Sequence, residues 1–206
     1  MNVFNSAIYN ILEWISRFAY VNILWTLFTF AGGIILGFYP SSIAMFAMVR
    51  DWLRGNTDKP MFNTFWKYYR QEFVKSNLLG LVLNVMLILI AFDIYYIQMN
   101  INENLTWTHI PLFAFMLLIA LFLYYIFPSF VHFRLNVFQL IRNAFLVMLI
   151  SPIHSFLITV SLISSYFIFR GIPALFFIFG GPAYAFITTW ICLHAFDRIQ
   201  KRQQIG

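Results

Sequence analysis

The chain has 206 residues, of which 62% are hydrophobic, 21% aromatic and 10% charged, with a formal net charge of +6. Soluble domains average about 45–50% apolar and about 25% charged residues, so a water-soluble globular fold is excluded. No charge block or Pro/Gly/Ser-rich linker marks a second domain, and one membrane domain over residues 1–206 is expected. Its fold class is all-α: a polytopic bundle of about five transmembrane helices with short amphipathic interfacial helices. The single cysteine, Cys192, rules out an intrachain disulfide and a cysteine-based metal cage.

In chain order, the first segment is an amphipathic helix over residues 2–17. Phe4, Ala7, Ile8, Ile11, Leu12 and Ile15 recur at helical spacing opposite Asn5, Tyr9, Asn10 and Glu13. Glu13 and Arg17 precede the first long apolar stretch, so a cleaved signal segment is not expected. Apolar stretches follow at residues 18–39, 77–97, 109–131, 145–166 and 173–194. Each meets the ~20 residues that a helix needs to cross ~30 Å of hydrocarbon.

The first stretch is the irregular one, because its apolar character runs on past Tyr39 to Val49, too far for one straight crossing. Gly33 and Gly37 loosen the helix and Pro40 removes a backbone donor. The helix break is therefore expected near Tyr39 and Pro40, with a second helix over residues 41–53 that either lies along the interface or enters the bundle. Cytoplasmic loops are expected at 50–76 and 132–144, each carrying an amphipathic helix. Phe62, Phe65, Trp66, Tyr69 and Phe73 stripe the first, and Phe133, Val137, Leu140, Ile141 and Ala144 stripe the second.

Orientation follows from the 13 Lys and Arg residues. With five crossings, Arg50, Arg54, Lys59, Lys67, Arg70, Lys75, Arg134, Arg142, Arg198, Lys201 and Arg202 fall on one side, leaving Arg17 and Arg170 for the other. The positive-inside rule then places the amino-terminus outside and the carboxy-terminus in the cytoplasm of a bacterial plasma membrane. The net positive charge favours membrane lipids as partners; no basic stripe with stacking aromatics points to nucleic acid.

Three polar residues inside or near the spans are intramembrane candidates: Asn84, His154 and Asp93. Asn84 and His154 lie at similar depth in the second and fourth stretches, which allows a polar patch between them. Asp93, near the outer end of its stretch, is expected to pair with Arg17 or Asn22. Asn104-Leu-Thr106 matches a glycosylation sequon to which no role is assigned. No nucleophile elbow, His-Glu-x-x-His helix, Walker loop or metal-spaced histidine cluster is present. The chain is therefore not expected to be an enzyme, to bind a metal or to carry a cofactor.

The first third carries a family resemblance. Asn22-x-x-Trp25, Gly33-Ile-Ile-Leu-Gly37-Phe-Tyr-Pro40-Ser-Ser-x-Ala44, Val49-Arg50-Asp51-Trp52-Leu53-Arg54-Gly55 and Phe62-x-x-Phe65-Trp66-Lys67-x-Tyr69-Arg70-x-Glu72-Phe73-x-Lys75-Ser-Asn77-x-x-Gly80 together resemble the YesL-like bacterial membrane proteins. The resemblance implies a small polytopic protein encoded beside carbohydrate uptake systems, and so an accessory role in oligosaccharide acquisition with a carbohydrate ABC transporter as partner. On that reading Arg50, Asp51, Trp52, Arg54, Trp66, Lys67 and Arg70 are the partner-contact candidates. The alternatives are an autonomous small-solute transporter or channel lined by the Gly-rich first helix, Asn84 and His154, and a membrane scaffold or lipid-interacting protein.

Overall fold

A computed structural model describes residues 3–99 and 106–205. Seven helices account for them: α1 (Val3–Ala31), α2 (Ile35–Leu53), α3 (Met61–Met99), α4 (Thr106–His132), α5 (Val137–Ile150), α6 (Pro152–Gly171) and α7 (Pro173–Ile205). Four spans among them are long and apolar enough to cross a membrane, Met61–Met99, His109–His132, Pro152–Gly171 and Pro173–Lys201. Their outward faces carry rows of exposed Leu, Ile, Val and Phe. Apolar exposure on that scale marks a surface made for lipid rather than water.

The first apolar stretch is not one crossing. The chain reverses between α1 and α2, and the two helices pack antiparallel: Trp25 Nε1 donates to Ser42 Oγ at 3.1 Å, and Phe18 stacks on Trp52. The expected break at Tyr39 and Pro40 is thus corrected to Gly33 and Ile34, which take φ of 73° and 64°. Ile35 N–H donates to the Gly33 carbonyl at 2.8 Å, closing a γ-turn of the rare positive-φ kind around a β-branched residue. Gly33 supplies the backbone freedom that the reversal needs. Gly37 supplies the close approach, since a Cβ there would lie 2.3 Å from the Thr29 carbonyl.

Pro40 sits inside α2, and there is a physical reason why it does not end the helix. Proline lacks the N–H that would bond the carbonyl four residues back, here that of Leu36. Asn77 on α3 fills the vacancy, its Nδ2 donating to the Leu36 carbonyl at 3.0 Å. One turn further along α3, Gly80 makes room for the Tyr39 ring, which a Cβ would meet at 2.2 Å.

α2 is the centre of the molecule. Residues from Tyr39 to Val49 are all buried, enclosed by α1, α3, α4 and α7. α4 runs beside it in the same direction, with Phe46 stacked on Phe127 and Arg50 Nη1 donating to the Val131 carbonyl. α1 runs against α7, where Asn22 Nδ2 donates to the Phe177 carbonyl at 2.7 Å.

Other expectations are adjusted in detail. The amino-terminal amphipathic segment is continuous with α1, and Ile11, Leu12 and Ile15 on its apolar stripe are exposed; Phe4, Ala7 and Ile8 lie outside the residues whose side chains are described. The helix of the first loop is the amino-terminal part of α3, with Phe65 and Tyr69 buried and stacked around Phe28. The fourth stretch is divided at Ser151, with Pro152 opening α6, because proline is favoured at a helix start and disfavoured inside one. α5 buries Leu140 and Ala144, as its stripe predicts. Glu103 and the sequon residue Asn104 lie outside the described residues.

If Asn77 compensates for Pro40, the two positions are coupled. Asn77→Leu alone should cost about 1 kcal/mol, the worth of the lost hydrogen bond to the Leu36 carbonyl, and clearly less in a Pro40→Ala background, where the helix supplies its own donor. A double-mutant cycle on thermal unfolding in detergent measures the coupling; additive effects would refute the compensation.

Candidate functional site at the basic end

The Arg50-Asp51-Trp52 run closes α2, and three separate segments converge on it. The Asp51 carboxylate, 6% exposed, accepts from Arg50 Nη2 at 2.9 Å through Oδ1. Its Oδ2 accepts from Lys59 Nζ at 2.9 Å and from the Tyr68 hydroxyl at 2.7 Å. A buried carboxylate needs such partners to stay ionised. Burial pushes the Asp51 pKa up, but the hydrogen bonds from Lys59, Tyr68 and Arg50 together outweigh it and hold the carboxyl below its ordinary range. Lys59 is pushed up in turn by its bond to Asp51.

Around this centre the same end of the bundle gathers further charges. Arg54 Nη2 donates to His132 Nδ1 at 3.2 Å, joining the ends of α2 and α4, and the His132 ring packs on Phe196 of α7. Arg17 pairs with Glu13, donates to the Thr57 carbonyl at 3.2 Å and lies 6.0 Å from the Trp52 ring centroid. Trp14 meets Trp52 edge-on. The early part of α1, the loop after α2, the end of α4 and the late part of α7 therefore share one end of the molecule.

The seven partner-contact candidates divide into two groups. Asp51 and Trp52 are buried and Arg50 is largely enclosed, so these three fasten the fold and are not offered to a partner. Arg54, Trp66, Lys67 and Arg70 are exposed. Lys59 and Tyr68, which complete the Asp51 cluster, escaped sequence reasoning. The one available signal was an aspartate among arginines at a helix end, and it does not name its donors.

The intramembrane candidates are not brought together. Asn84 accepts from the Tyr39 hydroxyl, whereas His154 lines a small cavity of about 190 Å³ with Ser151, Ala195 and Arg198. The patch that their depths allow does not form: the break at Ser151 gives His154 to the α6–α7 seam. Asp93 pairs with neither Arg17 nor Asn22, since Arg17 belongs to Glu13 and Thr57 and Asn22 to Phe177. Asp93 Oδ2 is buried without a hydrogen-bond partner. Among the described residues, no three His, Cys, Asp or Glu side chains converge as a metal site would require. A second cavity, about 670 Å³ and mostly apolar, lies among α1, α2, α3, α4 and α7 and is lined by Asn22, Trp25, Tyr39, Ser42, Phe46 and Tyr184.

Fold and site together define a multi-pass helical membrane protein with an inserted helical hairpin and a charged end. Residues 18–94 match the family described as "Protein of unknown function, DUF624". The chain is similar to uncharacterised YesL of Bacillus subtilis strain 168, 30% identical over 194 residues, 93% of this chain and 90% of YesL. It is similar to uncharacterised YesV of the same organism, 29% identical over 197 residues, 95% of this chain and 94% of YesV. Uncharacterised YteU, also from that organism, is 42% identical over 124 residues, 59% of this chain and 54% of YteU, so the match spans about half the length of that relative. The chain belongs to the YesL-like DUF624 family. No solved structure matches it.

Because the Asp51 pKa is depressed in the folded state, its stabilisation is complete above the ordinary carboxylate pKa of about 3.9 and is lost as pH falls through the lower folded value. Thermal stability in detergent should therefore decline below about pH 4 partly through this group. Asp51→Asn should cost about 2–3 kcal/mol at neutral pH, less than a fully buried pair because Lys59 is exposed, and should flatten the acid limb. An unchanged acid limb in the variant would remove Asp51 from the account.

Proposed function

We propose that this protein is a non-enzymatic accessory subunit of carbohydrate uptake in a bacterial plasma membrane, docking to a carbohydrate ABC transporter through its basic end. The carbohydrate part is supported by the family resemblance of residues 20–80. The docking part is supported by geometry: Arg54, Trp66, Lys67 and Arg70 are exposed beside a rigid Asp51 cluster that holds their helices in place. Trp and Arg are the residues that carry most energy in protein interfaces.

Both termini are proposed to be cytoplasmic, which differs from the outside amino-terminus that five crossings imply. The antiparallel α1–α2 hairpin adds a crossing, and Arg17 then joins the basic side through Thr57. Arg170 is left as the one cation on the opposite side, a cleaner positive-inside distribution.

An autonomous small-solute transporter has one observation in its favour, the 670 Å³ cavity beside Asn22 and Ser42. That cavity, rather than Asn84 with His154, is where a solute would sit.

The two readings separate in a pull-down of the tagged protein from its host grown on a complex polysaccharide. Under the accessory reading a sugar-importer permease or ATPase is recovered in fixed proportion. Trp66→Ala with Arg70→Ala should lower that recovery about tenfold, the loss of one or two interface anchors; Trp66 also packs on Phe28 and Tyr69, so Arg70→Ala alone, at an exposed side chain, should lower recovery in the same direction with the thermal midpoint unchanged. Recovery of the protein alone, together with solute flux from liposomes carrying it, would overturn the accessory reading.

A further inference from the structure

The basic end contains a cavity that none of the interactions above explains. It measures about 670 Å³ and opens among α2, the early part of α3 and the α4–α5 connection. Its apolar floor is Ile43, Ala47 and Phe130, and its cations are Arg50, Lys67, Lys75 and Arg134. Two of these are compensated: Arg50 by Asp51 and Lys75, at 4.0 Å, by Glu72. Lys67 and Arg134 have no ion-pair partner among the described residues and are exposed. Arg50 Nε is a buried donor with no acceptor, and Lys75 Nζ sits 4.5 Å over the Phe130 ring. The cavity thus holds two uncompensated positive charges, a further donor from Gln71, and an apolar base.

We infer that this cavity binds the phosphate of an anionic phospholipid. The phosphodiester of such a lipid carries one negative charge, which the two surplus cations more than neutralise, and guanidinium and ammonium donors match its oxygens. The lipid source is favoured over a free phosphate by what borders the site. Val74 and Leu78, on the α3 turns next to Lys75 and Gln71, are exposed at 81% and 56%, an apolar track along which acyl chains can lie while the headgroup reaches the cations. Clustered Lys and Arg at a membrane surface recognise anionic lipids in this way.

The test is native mass spectrometry of the purified full chain in detergent, titrated in parallel with phosphatidylglycerol, phosphatidylcholine and glycerol 1-phosphate. Phosphatidylglycerol should be retained well above phosphatidylcholine. The Lys67→Ala/Arg134→Ala variant should lose that retention by roughly tenfold or more. Arg142→Ala, a basic change outside the cavity lining, should leave it intact. Both altered side chains are exposed, so an unchanged thermal midpoint will separate lost binding from lost fold. Equal retention of the two lipids, or full retention by the double variant, would overturn the site. Binding of glycerol 1-phosphate as tight as that of phosphatidylglycerol would overturn the lipid assignment in favour of a soluble phosphate.

Discussion

The reversal of the chain at Gly33 and Ile34 is the constraint on which the remaining architecture depends. It turns what hydropathy suggests is a single crossing into two helices and sends α2 back through the middle of the bundle. A helix enclosed on all sides in a membrane has no water to satisfy its polar groups, so they draw on protein partners, with Ser41 Oγ and Arg50 Nε the exceptions on α2. The Leu36 carbonyl, orphaned by Pro40, finds Asn77. Ser42 Oγ donates to the Phe38 carbonyl at 2.7 Å and accepts from Trp25. Asp51 takes three donors from three positions. In lipid the apolar surface of one helix gains little by touching another, so small residues and interhelical hydrogen bonds carry the packing; Gly37 and Gly80 are the small residues here.

This assigns physical work to the segment that carries the family resemblance. Gly33 makes the turn, Gly37 and Gly80 allow close approach, Pro40 and Asn77 act as a pair, and Arg50, Asp51 and Trp52 lock α2 to α1, α3 and α4. Most of the motif thus maintains the hairpin rather than presenting a binding surface. Arg54, Trp66, Lys67 and Arg70 are exposed, and Lys67 also lines the basic cavity.

Long, strongly apolar segments were legible in the sequence, and α3, α4 and α7 contain the second, third and fifth stretches within their bounds. The stripe of α5 was legible too, because burial of Leu140 and Ala144 follows directly from helical periodicity. Two breaks were misplaced or missed for the same reason: proline is a conspicuous signal but not a sufficient one. Pro40 continues a helix because a residue 37 positions away repairs it, and no local pattern encodes that repair. Pro152 opens α6, a role that apolar character on both sides concealed. The Asp51 cluster was half legible. An aspartate beside Arg50 foretells one ion pair, but Lys59 and Tyr68 reach it only once the chain after α2 has folded back.

Paired-cysteine cross-linking across the hairpin tests the central claim most directly. With Cys192→Ala as background, Trp25→Cys and Ser42→Cys put thiols at two facing positions whose native side chains hydrogen-bond at 3.1 Å; a cysteine is shorter than the indole, so a short bifunctional maleimide is used to span the gap. In one continuous helix the two positions would be separated by roughly 25 Å at 1.5 Å per residue. The account predicts an intramolecular cross-link by the short bifunctional maleimide in the folded protein in membranes, identified by peptide mapping. Two positions left unlinked under conditions that cross-link a neighbouring control pair would contradict the hairpin, and with it the placement of α2 at the centre of the fold.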